Sequence, residues 1–257
     1  MLNIIRHGTN TGAAPLLIVH GLFGSARNWG VIARRLSEHR TVLVVDMRNH
    51  GDSPWMPTHT YAEMAADLAK VITDNGGQAD VLGHSMGGKA AMALALLHPD
   101  LVRRLVVADI APVAYDHSQS HHIASLRELD LTGLSTRAEA DRRLSNLIDD
   151  PALRAFFLQS LDLKSTPPRW RINLDVLDAE MSGIVGWPEI SGQFDGPTFF
   201  LSGQLSNYVK PDDRAHIVSL FPKARFARIP DAGHWLHADK PREFEAAVAA
   251  FIDHPSA

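Results

Sequence analysis

The chain has 257 residues, 45% hydrophobic and 21% charged, enough to bury a large core in one domain with an insertion or in two small domains. A formal charge of −4 supplies no basic field for nucleic acid or an anionic membrane surface. The absence of cysteine excludes disulfides, thiolate metal sites and a cysteine nucleophile.

In chain order, "MLNIIRHGTN" lacks the basic region and apolar run of a signal peptide, and no apolar stretch is long enough to span a bilayer. A soluble, cytoplasmic protein is expected; its oligomeric state is open. "PLLIVHG" (15–21) reads as a buried strand and "NWGVIARRLSEH" (28–39) as a helix. "TVLVVDMRNHG" (41–51) is the next strand, and "YAEMAADLAKVITDNG" (61–76) a helix that stops at Asn75-Gly76. "DVLGHSMGG" (80–88) reads as strand, tight turn and helix start, "KAAMALALLHP" (89–99) as the helix, and "RRLVVADIAP" (103–112) as a further strand. Continuous apolar strands separated by helices imply an α/β fold with a parallel sheet covered on both faces.

From Val113 to about Ile190 no strand is evident, only helix-like pieces such as "STRAEADRRLSNLIDD" and "PALRAFFLQS". Alternation resumes with "PTFFLSG" (197–203), "PDDRAHIVSLFP", "ARFARIPDAGHW" and "PREFEAAVAAFI". The expected organisation is a core of residues 1–112 and 191–257, interrupted by a helical cap over 113–190. Such an insertion at the carboxyl ends of parallel strands lies over the ligand crevice.

Gly83-His84-Ser85-Met86-Gly87 matches G-x-S-x-G, and its strand-before, helix-after context is what a nucleophile elbow requires. The turn that exposes Ser85 crowds positions 83 and 87, which must carry almost no side chain. A nucleophilic serine needs a base, and His234 in "IPDAGHWLH" lies just past the last strand-like segment. His237 is the rival, with a surface role preferred for it. The backbone N–H of Met86, at a helix N-terminus, and that of Leu22 in "HGLFGS" are the candidate oxyanion donors. Phe23 is a candidate wall of the acyl pocket, and Trp235 a candidate for shaping its entrance. His20, Asp46 and Arg48 are read as braces of their own loops. The 14 His show no metal-ligand spacing, and adjacent His121 and His122 point apart on a helix, so no metal and no cofactor is expected.

"HGLFGS", "VDMRNHGDSP", "GHSMGGKA", "DIAPV", "IVGW" and "AGHWLHADKP" together resemble the α/β-hydrolase superfamily. Within it they resemble the YbfF-type small serine esterases and their mitochondrial alpha/beta-hydrolase-domain relatives. The similarity runs over nearly the whole chain and is weakest from about 117 to 168. It implies a mostly parallel, eight-stranded sheet with a helical cap, and cofactor-free hydrolysis of carboxylic esters or thioesters. Asn49 stands where many superfamily members have glycine.

The usual superfamily position for the acid, after the penultimate strand, holds Ser206, which cannot carry charge. Asp212 and Asp213 are near but follow Lys210-Pro211 as a helix start would. Asp109 closes the apolar strand beside the nucleophile's own, about 4.8 Å from its neighbours, and an unpaired buried carboxylate there is costly. The resemblance also places the acid in the "DIAP" segment. The reading is a serine hydrolase using Ser85, His234 and Asp109 on short-to-medium acyl esters or thioesters through an acyl-enzyme. Perhydrolysis on the same three residues, or a ligand receptor with vestigial hydrolysis, are the alternatives.

Overall fold

The structure, a computed structural model, describes residues 1–9 and 11–253. In chain order its core elements are β1 (Ile4–His7), β2 (Leu16–Val19), α1 (Gly30–Leu36), β3 (Val42–Val45), α2 (Tyr61–Asp74), β4 (Ala79–His84), α3 (Met86–Leu97) and β5 (Val102–Ala108). The β5–β8 connection carries α4 (Ser120–Glu128), α5 (Arg137–Leu144), α6 (Pro151–Leu158), β6 (Leu161–Asp162), β7 (Arg169–Trp170), α7 (Leu174–Ala179) and α8 (Met181–Val185). The core closes with β8 (Thr198–Gly203), α9 (Arg214–Leu220), β9 (Ala224–Ile229), α10 (Leu236–Asp239) and α11 (Pro241–Asp253).

The main sheet has seven strands in the order β1-β3-β2-β4-β5-β8-β9. β1 runs antiparallel to β3, and every other pairing is parallel. This corrects the expectation of eight strands: among the described residues only seven segments join the sheet. One of the seven, β1, escapes the apolar pattern because it is a half-exposed edge strand of four residues.

The alternation of side chains along each buried strand builds the two halves of the core. Leu17, Val19, Leu43, Val45, Val81 and Val107 face α2 and α3. Leu16, Ile18, Val42, Val44, Leu82 and Val106 face α1 and α11. α2 begins at a capping box in which Thr60 and Glu63 each satisfy the other's backbone N–H. Among the described residues no helix is long and apolar enough to cross a membrane.

Between β5 and β8 the chain is mainly helical, with one difference from expectation. β6 and β7 form a small antiparallel sheet in which Leu161 pairs with Trp170. Strands of two residues carry no periodicity, so the pattern is silent about them. The segment is tied to the loop after β3 through Asn49, which sits at φ 67, a left-handed conformation asparagine tolerates. Asn49 Oδ1 accepts from Met56 N at 2.7 Å and from Asn173 Nδ2 at 3.0 Å. Its carbonyl accepts from Asn173 N at 2.9 Å.

Candidate active site

Ser85 occupies the turn between β4 and α3 at φ 54, ψ −123, a strained conformation for a non-glycine residue. The surrounding glycines are what make it possible. A Cβ at Gly83 would lie 2.2 Å from the Gly87 carbonyl oxygen, and one at Gly87 would lie 2.4 Å from that of His20. Both obstacles are backbone, which cannot swing aside.

Ser85 Oγ lies 3.0 Å from His234 Nε2, and His234 Nδ1 lies 2.7 Å from Asp109 Oδ2. His234 is carried by the loop between β9 and α10. Asp109 follows β5 directly and is fully buried. The carboxylate is well served: its Oδ1 accepts from Gly203 N at 3.0 Å, and its Oδ2 accepts from both Ser206 Oγ and His234. Ser206, at the position where a superfamily acid is usual, thus donates to the carboxylate that reaches in from the neighbouring strand. Asp212 is exposed, and Asp213 accepts the Lys210 N–H at 2.8 Å; the geometry brings Asp109 to His234 in their place.

Met86 is the first residue of α3, so its N–H has no acceptor within the helix. Leu22 sits in the turn closed by Gly24 N donating to Gly21 O at 3.0 Å. That loop is held from beneath by neutral imidazoles. His20 Nε2 accepts from Met47 N at 3.0 Å while its Nδ1–H donates to Gly21 O at 2.8 Å. His50 Nε2 accepts from Phe23 N at 3.2 Å while its Nδ1–H donates to Arg48 O at 3.0 Å. Burial lowers both imidazoles below their ordinary range; each pairing requires the neutral ring. Asp46 joins three segments by accepting from Ala26 N at 2.7 Å, Asp52 N at 2.9 Å and Asn3 Nδ2 at 2.8 Å.

Ser85, His234, Leu22, Met86, Phe23 and Trp235 all line one cavity of about 830 Å³. Phe23 packs edge-on to Phe157 at 5.2 Å, and Trp235 contacts Phe156 at 5.6 Å, both partners coming from α6. Sequence reading missed several contributors. His84 donates its Nε2–H to the His234 carbonyl at 2.9 Å, and burial keeps its ring neutral. Lys89, one turn after Ser85, is buried and donates to the carbonyls of Val185 and Gly186 at the end of α8. Burial brings its ammonium down to about 7. Tyr208 stacks on His234. His237, expected at the surface, instead stacks on Trp29 at 4.4 Å, and burial lowers it to about 3. The α10 turn carries its ring inward against Trp29, the residue just before α1, which its position three residues past His234 does not disclose.

Chemically, a hydroxyl beside an imidazole nitrogen, with a buried carboxylate on the other ring nitrogen, can give up its proton and attack an electrophilic carbon. Among the described residues no group of three or more His, Asp or Glu is placed to hold a metal ion.

Comparison with known proteins agrees with this fold. Residues 14–241 match the alpha/beta hydrolase fold family. The sn-1-specific diacylglycerol lipase ABHD11 of Danio rerio is 40% identical over 249 residues, covering 93% of this chain and 78% of the relative. Esterase YbfF of Escherichia coli strain K12 is 38% identical over 243 residues, covering 93% of each chain. A solved structure titled "Marine microorganism esterase" superposes with a TM-score of 0.92 at 39% identity, over 97% of this chain and 98% of that one. The chain therefore belongs to the alpha/beta hydrolase fold family, on a branch whose relatives named here are esterases and a lipase.

Proposed function

We propose that this chain is a serine hydrolase of carboxylic esters or acyl thioesters, working through an acyl-enzyme on Ser85. The observation that carries the reading is the unbroken line Ser85 Oγ–His234 Nε2 at 3.0 Å and His234 Nδ1–Asp109 Oδ2 at 2.7 Å, opening on the cavity. His234 takes the Ser85 proton as the hydroxyl attacks the acyl carbon, then returns it to the leaving alcohol or thiol. Asp109 holds the productive tautomer and balances the imidazolium charge. The N–H groups of Leu22 and Met86 receive the negative oxygen of the tetrahedral intermediate, the second aided by the α3 dipole. A water activated by His234 then frees the acid and restores Ser85.

The segment 113–190 acts in this reading as a cap over the crevice, its α6 side chains Leu153, Phe156 and Phe157 forming one wall of the cavity. With Phe23 and Trp235 they suit a short-to-medium acyl chain. A panel of acyl esters and acyl-CoA thioesters of increasing length tests the reading, with Ser85→Ala as blank. Turnover of at least one class, abolished in the blank, is expected. Equal hydrolysis by wild type and Ser85→Ala would refute it.

A further inference from the structure

The ring of Tyr208 lies over the imidazole of His234, centroids 3.9 Å apart and planes within 19°. Tyr208 N donates to Ser206 Oγ at 3.3 Å, and its carbonyl accepts from Tyr115 Oη at 2.7 Å. Tyr115 Oη in turn accepts from Ala111 N at 2.9 Å, two residues beyond Asp109. The Tyr208 hydroxyl meets His117 Nε2 at 3.1 Å. Both ends of the side chain are therefore fixed, and the ring cannot slide off the imidazole without breaking one of these bonds.

The position matters because of what happens to His234. When Ser85 passes its proton to Nε2, the imidazole gains a full positive charge. Asp109 meets that charge in the plane of the ring, at Nδ1; the face of the ring is left to other groups. An aromatic face carries negative electrostatic potential and attracts a cation placed over it. From this geometry we propose that Tyr208 is a positioning residue for His234, its ring fixing the imidazole plane and stabilising the imidazolium as it forms. The inference rests on the Ser85–His234–Asp109 reading above.

The other groups around His234 are Asp109 and Ser85 at its nitrogens, His84, which donates to its carbonyl and whose ring centroid lies 4.9 Å from its own, and His237 and His117, each lowered in part by the His234 charge. Asp239 accepts the Gly233 N–H at 2.8 Å. The bond of the Tyr208 hydroxyl to His117 is already absent in Tyr208→Phe and the other contacts persist, so a shift along a series read from that variant belongs to the ring.

The test is a series at position 208 in the full-length enzyme: Tyr208→Phe, then phenylalanines bearing one, two and three fluorines introduced by nonsense suppression. These rings are nearly equal in shape, so folding is not at stake, while each fluorine weakens the negative face. Tyr208→Phe, which gives up the bond to His117, is the reference from which the series is read. Along the fluorine series kcat should fall by about 5- to 30-fold in total, as expected for a cation–π contribution of about 1–2 kcal/mol, with KM little changed. The acidic limb of the kcat/KM–pH profile should move to lower pH, because a weaker ring face lowers the proton affinity of His234. A series flat in kcat and in pH profile relative to Tyr208→Phe would overturn the proposal. Ser85→Ala assayed alongside separates the two readings. An active Ser85→Ala overturns the triad itself; an inactive one with a flat fluorine series overturns only the role of Tyr208.

Discussion

Replacing Asp109 by asparagine changes one atom and removes the charge, and the structure dictates which way the amide must face. Oδ1 accepts the Gly203 N–H at 3.0 Å, so the amide oxygen has to stay at that position to avoid two opposed donors. The NH₂ group then falls at Oδ2, facing Ser206 and His234. Ser206 can rotate its hydroxyl to accept. His234 can accept only by moving its proton to Nε2, which leaves that nitrogen donating to Ser85 when it must receive. The expected loss is about 10³- to 10⁴-fold in kcat, the magnitude typical of a forced wrong tautomer. Stability should change by no more than about 2 kcal/mol, since the packing is kept. Steady-state hydrolysis of a p-nitrophenyl ester and a urea melt measure the two quantities on one preparation. A folded Asp109→Asn enzyme within 10-fold of wild type would refute the tautomer reasoning and return Asp212 and Asp213 to consideration.

Ser206→Ala removes one donor from the same carboxylate but leaves Gly203 and His234 in place; kcat should fall by about 10- to 150-fold, in line with about 1.5–3 kcal/mol for a hydrogen bond to a charged group. Stopped-flow acylation rates check this, and a loss as large as that of Asp109→Asn would contradict it. Gly83→Ala puts a methyl 2.2 Å from a backbone oxygen and should cost at least about 3 kcal/mol or prevent folding; thermal melts that match wild type would show that the elbow is less crowded than described. Lys89 has a folded-state pKa near 7 against an ordinary 10.5, through burial. The unfolded chain therefore binds more protons between about pH 7 and 10.5, and wild type should gain stability relative to Lys89→Met as pH rises through that window. Urea midpoints at pH 6.5, 8 and 9.5 test the sign; a constant difference would contradict it.

The parts of the site that are legible in the sequence are those whose chemistry leaves a local mark. Ser85 stands out because a strained strand–helix turn requires glycines at 83 and 87. Asp109 stands out because a charge at the end of "LVVAD" is conspicuous against an apolar strand. The alternating strands and helices disclose the parallel sheet in the same way. What is not legible is made by contacts between loops distant in sequence. Ser206 reads as a vacancy until the fold lays it on Asp109, and Tyr208 carries no pattern that announces a stack on His234. His237 reads as surface because the direction of its ring is set by Trp29, on the opposite side of the sequence. β1, β6 and β7 are too short or too exposed for periodicity to reveal.

The central claim, that Ser85 is acylated with His234 and Asp109 behind it, is tested most directly by intact mass measurement. The enzyme is mixed with a slowly deacylated activated ester, quenched within the first turnover and mapped by peptide. The account predicts a mass increase of one acyl group on the peptide containing Ser85, absent from Ser85→Ala and slow to appear in Asp109→Asn. Turnover without an adduct on Ser85, or an adduct on another residue in an active Ser85→Ala enzyme, would contradict it.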